Sequence, residues 1–157
     1  MALRNILTSD EPQLHKVCRP VTEFNERLWE LLDDMQETLV ASNGVGLAGP
    51  QVGILRRLFI MDTGDGFIEA INPVILGKKG EQTGQEGCLS CPNEWGIVTR
   101  PQKVILQAQD RNGKEYRLKC EDLMARCACH ENDHLDGILF TERADRMLTE
   151  EELRAEG

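Results

Sequence analysis

The chain has 157 residues, 40% hydrophobic and 29% charged, with a formal net charge of −9. That balance is globular and excludes a disordered or collagen-like chain, and no run approaches the roughly 18 apolar residues of a membrane span. The acidic excess speaks against general binding to a nucleic-acid backbone, which needs clustered Lys and Arg.

The length fits one domain of roughly 100–200 residues, here read as 1–157 with a short acidic tail from about residue 141. The first residues, Ala2-Leu3-Arg4-Asn5-Ile6-Leu7, turn polar at Thr8. No signal-peptide apolar region is expected there, so the default location is the cytoplasm. Leu28, Leu31, Leu32, Met35 and Leu39 recur at helical spacing, with Thr22 as the expected cap and Asn43-Gly44 as the stop. The ten residues from Gly44 to Gly53 then hold four glycines, which suit unusual backbone angles and close approach by a ligand rather than a helix.

Short strands are predicted at Arg57–Met61, Phe67–Ile71, Val74–Leu76, Gly96–Val98, Val104–Ala108 and Tyr116–Lys119. Asn112-Gly113 marks a hairpin between the last two. Glu86–Pro92 reads as a loop. A second helix is predicted from about Glu121 to Leu135, with Gly137 just past its end, and the tail adds one more short helix. Helix, strands, helix reads as α+β, with antiparallel sheets around the second helix.

That second helix carries His130-Glu131-Asn132-Asp133-His134, an H-E-x-x-H pattern. Residues four apart share a helix face, so both imidazoles can bind one metal ion, and Glu131 lies near enough to act as general base. Catalytic sites of this kind usually take three protein ligands. Phe140 stands where a further downstream histidine would be, so the cysteines are the better source. Spacing does not choose among them. Cys127 shares the face of His130, Cys129 points away, and Cys88 and Cys91 sit on a separate segment. A closed structural site from Cys88, Cys91, Cys127 and Cys129 is the rival, disfavoured because C-x-C on a helix projects its thiols about 200° apart.

Three segments together resemble the peptide deformylase family. Gly44-Val45-Gly46-Leu47-Ala48-Gly49-Pro50-Gln51 is similar to G-x-G-x-A-A-x-Q, Glu86-Gly87-Cys88-Leu89-Ser90 matches E-G-C-L-S, and the H-E-x-x-H segment is the third. The resemblance implies an α+β metal-dependent amidase that removes the formyl group from N-formylmethionyl nascent chains. It implies Cys88, His130 and His134 as ligands of one divalent ion, ferrous iron first, with zinc, nickel or cobalt as substitutes. It implies Glu131 as the acid–base residue, and Gln51 with the backbone N–H of Leu89 as donors to the developing oxyanion. Val45, Gly46, Glu86, Gly87 and Cys127 are the implied substrate-binding residues.

Departures are Gly49 for a usual Ala, Cys91 for an aliphatic residue, Cys129 for Gln, and Trp95 for a common basic residue. Family members also make transient ribosome contact, some through a basic C-terminal helix; the acidic tail here argues against that route. An H-E-x-x-H endopeptidase and a non-catalytic metal sensor are the other readings. Intact Glu131 and Gln51 argue against the sensor, since neither is needed merely to hold a metal.

Overall fold

The computed structural model describes residues 2–156; Met1 and Gly157, the two ends of the predicted domain, lie outside the described residues. Helix α1 runs Glu26–Ser42. Its cap is Asn25 rather than the expected Thr22: the Asn25 side chain accepts from the Leu28 N–H at 3.3 Å, satisfying one of the donors a helix start leaves open. Asn43 ends it in the left-handed region at φ 58°, as Asn tolerates.

Five antiparallel strands form the larger sheet, in the order β1 (Gly46–Ala48), β2 (Leu58–Met61), β3 (Ile68–Lys79), β6 (Lys103–Gln109) and β7 (Glu115–Glu121). The two predicted strands Phe67–Ile71 and Val74–Leu76 are one, β3, with a register shift between Ile71 and Val74. Asn72 absorbs the irregularity at φ 51°, and its side chain binds both the N–H and the C=O of Val21. Strands β6 and β7 pair from Lys103↔Glu121 to Gln109↔Glu115 around the Asn112-Gly113 turn.

The smaller antiparallel sheet has the order β4 (Gln82–Cys88), β5 (Cys91–Arg100) and β8 (Arg146–Met147). This corrects the loop predicted at Glu86–Pro92. Glu86 to Cys88 close β4, Leu89-Ser90 form the turn, and Cys91 opens β5. Strand β4 holds two glycines and few strand-favouring residues, so pairing with β5 rather than local propensity makes it a strand.

Helix α2, Leu123–Leu135, lies against one face of the larger sheet. Ala125, Ala128 and Leu135 pack there with Phe59, Met61, Val104 and Leu106. Helix α1 covers the opposite face, where Leu32, Met35 and Leu39 meet Leu58 and Ile60. The unbroken apolar run of β2 follows from this: alternate side chains point to opposite faces, and both faces are covered.

Helix α2 ends where Gly137 adopts φ 74°; a Cβ there would come within 2.6 Å of the His15 carbonyl carbon. The Leu135 carbonyl accepts from the Cys18 N–H at 2.8 Å and from Arg57 at 3.0 Å, which ties the N-terminal segment to this helix end. The predicted tail folds as α3 (Phe140–Arg143), β8 and α4 (Glu150–Glu156). Phe140 packs with Leu14, Cys91 and Val98 beneath the small sheet. None of the described helices is long and apolar enough to cross a membrane.

Candidate metal centre and active-site cleft

Strand β1 edges one sheet and β4 edges the other. Between them opens a cleft of about 470 Å³ into which α2 projects. Val45, Gly46, Gln51, Glu86, Gly87, Cys88, Leu89, Cys127, His130 and Glu131 all line it. His134 is fully buried just behind.

The helical spacing places the rings of His130 and His134 edge to face, with centroids 5.2 Å apart. Cys88, at the last position of β4, meets them from the small sheet, with its Sγ 3.4 Å from His134 Nε2. One ligand atom from each of Cys88, His130 and His134 lies within 4.8 Å of the others. A thiol and two imidazoles suit a first-row divalent ion. Among the described residues the rival four-cysteine cluster does not assemble. Cys127 instead turns its thiol to the Val45 carbonyl at 3.6 Å, and Cys129 packs into the core.

The two imidazoles differ in protonation: burial works to lower His130, but the charge of Glu131 and the hydrogen bond and charge of Glu86 outweigh it and raise it, so an ion must displace a proton there. Burial first, then the charge of His130, pushes His134 well below the usual imidazole range, so it stays neutral with a lone pair to give. His130 Nδ1 lies 2.8 Å from Glu86 Oε1. Burial works to raise Glu86, but hydrogen bonds from His130 and Arg100, with the charge of Arg100, outweigh it and hold the carboxyl at about 2. An ionised Glu86 can only accept, so the proton sits on His130 Nδ1 and Nε2 is left for an ion. The Cys88 thiol is pushed up, first by its hydrogen bond with Cys91 and then by burial. A divalent cation reverses that, since a coordinated thiol is deprotonated outright.

Glu131 is buried in the cleft wall, and its Oε1 has no hydrogen-bond partner. Burial raises it to about 7 against the lowering charge of His130. A Cβ on Gly46 would stand 2.6 Å from Glu131 Oε2 and 2.8 Å from Cys127 Sγ, so only glycine lets β1 pass this close. Gln51 is aimed by its neighbours. Its Oε1 accepts from the Ala48 N–H at 2.9 Å, which turns the NH₂ group toward Ser90 Oγ (3.1 Å) and Cys88 Sγ (3.5 Å). Leu89 sits in the turn after Cys88, its side chain against Gly44. The Trp95 ring lies over Gly87, within 2.7 Å of where a Cβ would be.

Sequence reasoning missed Arg100 and Arg126. Arg100 reaches both Glu86 oxygens, at 2.9 and 3.0 Å, and Asp133 at 2.7 Å. Arg126 donates to Glu86 and to the Val98 carbonyl. Two buried guanidiniums thus hold the carboxylate that holds His130. Glu86, which the resemblance implied as substrate-binding, lines the cleft but has both carboxylate oxygens engaged by Arg100, Arg126 and His130.

Fold and site together define an α+β hydrolase of the metal-dependent kind. The sequence matches the family described as "Polypeptide deformylase" over residues 3–150. The chain belongs to the peptide deformylase family. It is 52% identical over 153 residues to a peptide deformylase of Caldicellulosiruptor bescii, covering 98% of this chain and 92% of that protein. It is 46% identical over 155 residues to peptide deformylase 1 of Bacillus subtilis, covering 98% and 97%. The crystal structure of peptide deformylase from Thermotoga maritima superposes with a TM-score of 0.90 at 38% identity, covering 91% and 98%. A peptide deformylase from Synechococcus elongatus in complex with actinonin gives 0.88 at 33% identity, covering 97% and 82%.

Proposed function

We propose that this chain hydrolyses the N-formyl group of N-formylmethionyl peptides, releasing formate and a free α-amine. The observation that carries the reading is the meeting of Cys88, His130 and His134 at a cleft wall where the buried Glu131 carboxylate has an unpaired oxygen.

Cys88, His130 and His134 would hold the ion, with ferrous iron the native one and zinc, nickel or cobalt able to replace it. When bound there, the ion would supply Lewis acidity, polarising a carbonyl and lowering the pKa of water. Glu131 takes the proton of the attacking water and delivers it to the departing nitrogen as the formyl C–N bond breaks. The Gln51 amide and the Leu89 backbone N–H donate to the formyl oxygen as it gains charge. Glu86, clamped by Arg100 and Arg126, is a positioning residue that keeps the His130 ring in one orientation and tautomer.

The nascent chain lies extended in the cleft, adding as a strand along Val45-Gly46 on one side and Gly87 on the other. Cys127 borders the space for the methionine side chain. The protein works in the cytoplasm on nascent chains and touches the ribosome transiently. The acidic α4 is not the docking element.

Anaerobic incubation of the iron-loaded protein with a formyl-Met peptide is the test. Stoichiometric formate and free amino termini support the reading. Cleavage of internal bonds in a formyl-free peptide would put the endopeptidase in its place. Actinonin, bound by the Synechococcus elongatus relative, is expected to block formate release by filling the same cleft. Gln51→Leu is expected to lower kcat by about 10²–10³-fold with KM little changed, because the lost donor acts mainly in the transition state. An unchanged kcat would remove Gln51 from the oxyanion site.

A further inference from the structure

Cys91 stands directly across the Leu89-Ser90 turn from Cys88, as its paired residue in the β4–β5 register. Opposed residues of an antiparallel pair have Cα atoms about 4.5–5.5 Å apart with side chains on one face, within the range of about 4.4–6.8 Å that a disulfide needs. Both residues also line the same cleft. They differ in access: Cys88 is half-buried on the cleft wall, whereas Cys91 is 1% exposed and seated against the core beneath the small sheet. An oxidant entering the cleft therefore meets Cys88 first, with a second thiol waiting behind it. Cys127, the other cysteine of the cleft, is turned to the Val45 carbonyl across from this pair.

We propose that Cys88 and Cys91 form a dithiol site for peroxide, closing to a reversible disulfide that takes Cys88 out of the metal-binding set. In the first step the Cys88 sulfur attacks one peroxide oxygen. An S–O bond forms, the O–O bond breaks, and the departing hydroxide leaves as water, with the thiol proton where Cys88 is free or with a solvent proton where its thiolate holds the ion. In the second step Cys91 attacks the Cys88 sulfenic sulfur. The S–S bond forms, the S–O bond breaks, and the hydroxide takes the Cys91 proton to leave as a second water. Two thiols are oxidised by two electrons and one peroxide becomes two waters. A cysteine without such a partner continues to sulfinic and sulfonic acids, which ordinary thiols do not reverse. Cys91 thus converts a terminal oxidation of the site into a reversible one. The loss of metal rests on the ligand role given to Cys88 above; the disulfide does not.

The test treats the metal-loaded protein with hydrogen peroxide and follows both metal content and the tryptic peptide 80–103, which holds Cys88 and Cys91 as its only cysteines. The expected result is a peptide lighter by two hydrogens with neither thiol alkylated, metal lost in parallel, and both changes reversed by dithiothreitol and added metal. In Cys91→Ser the same peptide gains two or three oxygens, and dithiothreitol does not restore metal binding. Oxygen addition to the wild-type peptide, or a disulfide to any other cysteine, overturns the proposal without recourse to the variant. Disulfide formation with metal fully retained would uphold the dithiol site and instead remove Cys88 from the ligand set.

Discussion

Glu131→Gln is expected to lower kcat for formate release by about 10⁴-fold, the upper end of what a positioned acid–base group contributes. The reason is that one carboxylate serves both proton transfers, from the water and to the amine. That is about 5.4 kcal/mol of barrier. Glutamine keeps the size of the side chain, so metal content is expected to match the parent, and metal analysis beside the rate measurement separates lost chemistry from a lost site. Parental turnover in a metal-replete variant would overturn the assignment.

The same variant makes a second readout with its own sign. In the metal-stripped protein, burial raises Glu131 from 4.5 to about 7. An acid whose folded pKa lies above its unfolded value binds more protons folded than unfolded, so stability falls as pH rises through that window. The stripped parent is expected to lose melting temperature between about pH 4.5 and 7 relative to Glu131→Gln, which has nothing to ionise there. Melting curves at the two ends of the window check it. A site that holds a buried carboxylate with one unpaired oxygen gives up stability for chemistry.

Cys88→Ser is expected to weaken metal binding by more than about 10²-fold and to take activity to background with it. A change to an outer partner of a ligand costs about 10–100-fold, and loss of the anionic ligand itself must exceed that. The serine hydroxyl neither ionises readily nor offers a soft donor. Metal titration followed by element analysis gives the affinity. Retention of a full equivalent of tightly held metal would remove Cys88 from the ligand set. The variant is expected to fold, since Cys88 sits at a half-buried strand end beside a turn rather than in the packed interior.

What could be read along the chain was whatever depends on local spacing. His130 and His134 share a helix face because 3.6 residues make a turn. The α1 stripe is apolar for the same reason, and Asn112-Gly113 turns a hairpin through the left-handed freedom of Gly113 at φ 83°. Local signals failed where tertiary pairing overrode them. The glycines and polar residues of β4 read as loop until β5 paired with them. Asn72-Pro73 read as a break between two strands, yet reciprocal hydrogen bonds between the Asn72 side chain and the Val21 backbone carry β3 through the irregularity. Thr22 and Asn25 are both acceptable caps by type, and only the helix phase selects Asn25.

The sequence by itself determined the α+β class, the helix that carries the H-E-x-x-H motif and, through three motifs in register, the kind of reaction. The tertiary structure alone decided which side chains surround that chemistry. Arg100 and Arg126 look like any surface cations in the sequence, because charge type says nothing about what a residue will face. Only the packing of α2 against both sheets buries them on Glu86 and so fixes His130. The aim of Gln51 arises in the same way: its amide meets Cys88 and Ser90 of the other sheet, tens of residues away, a distance over which residue spacing carries no geometric information.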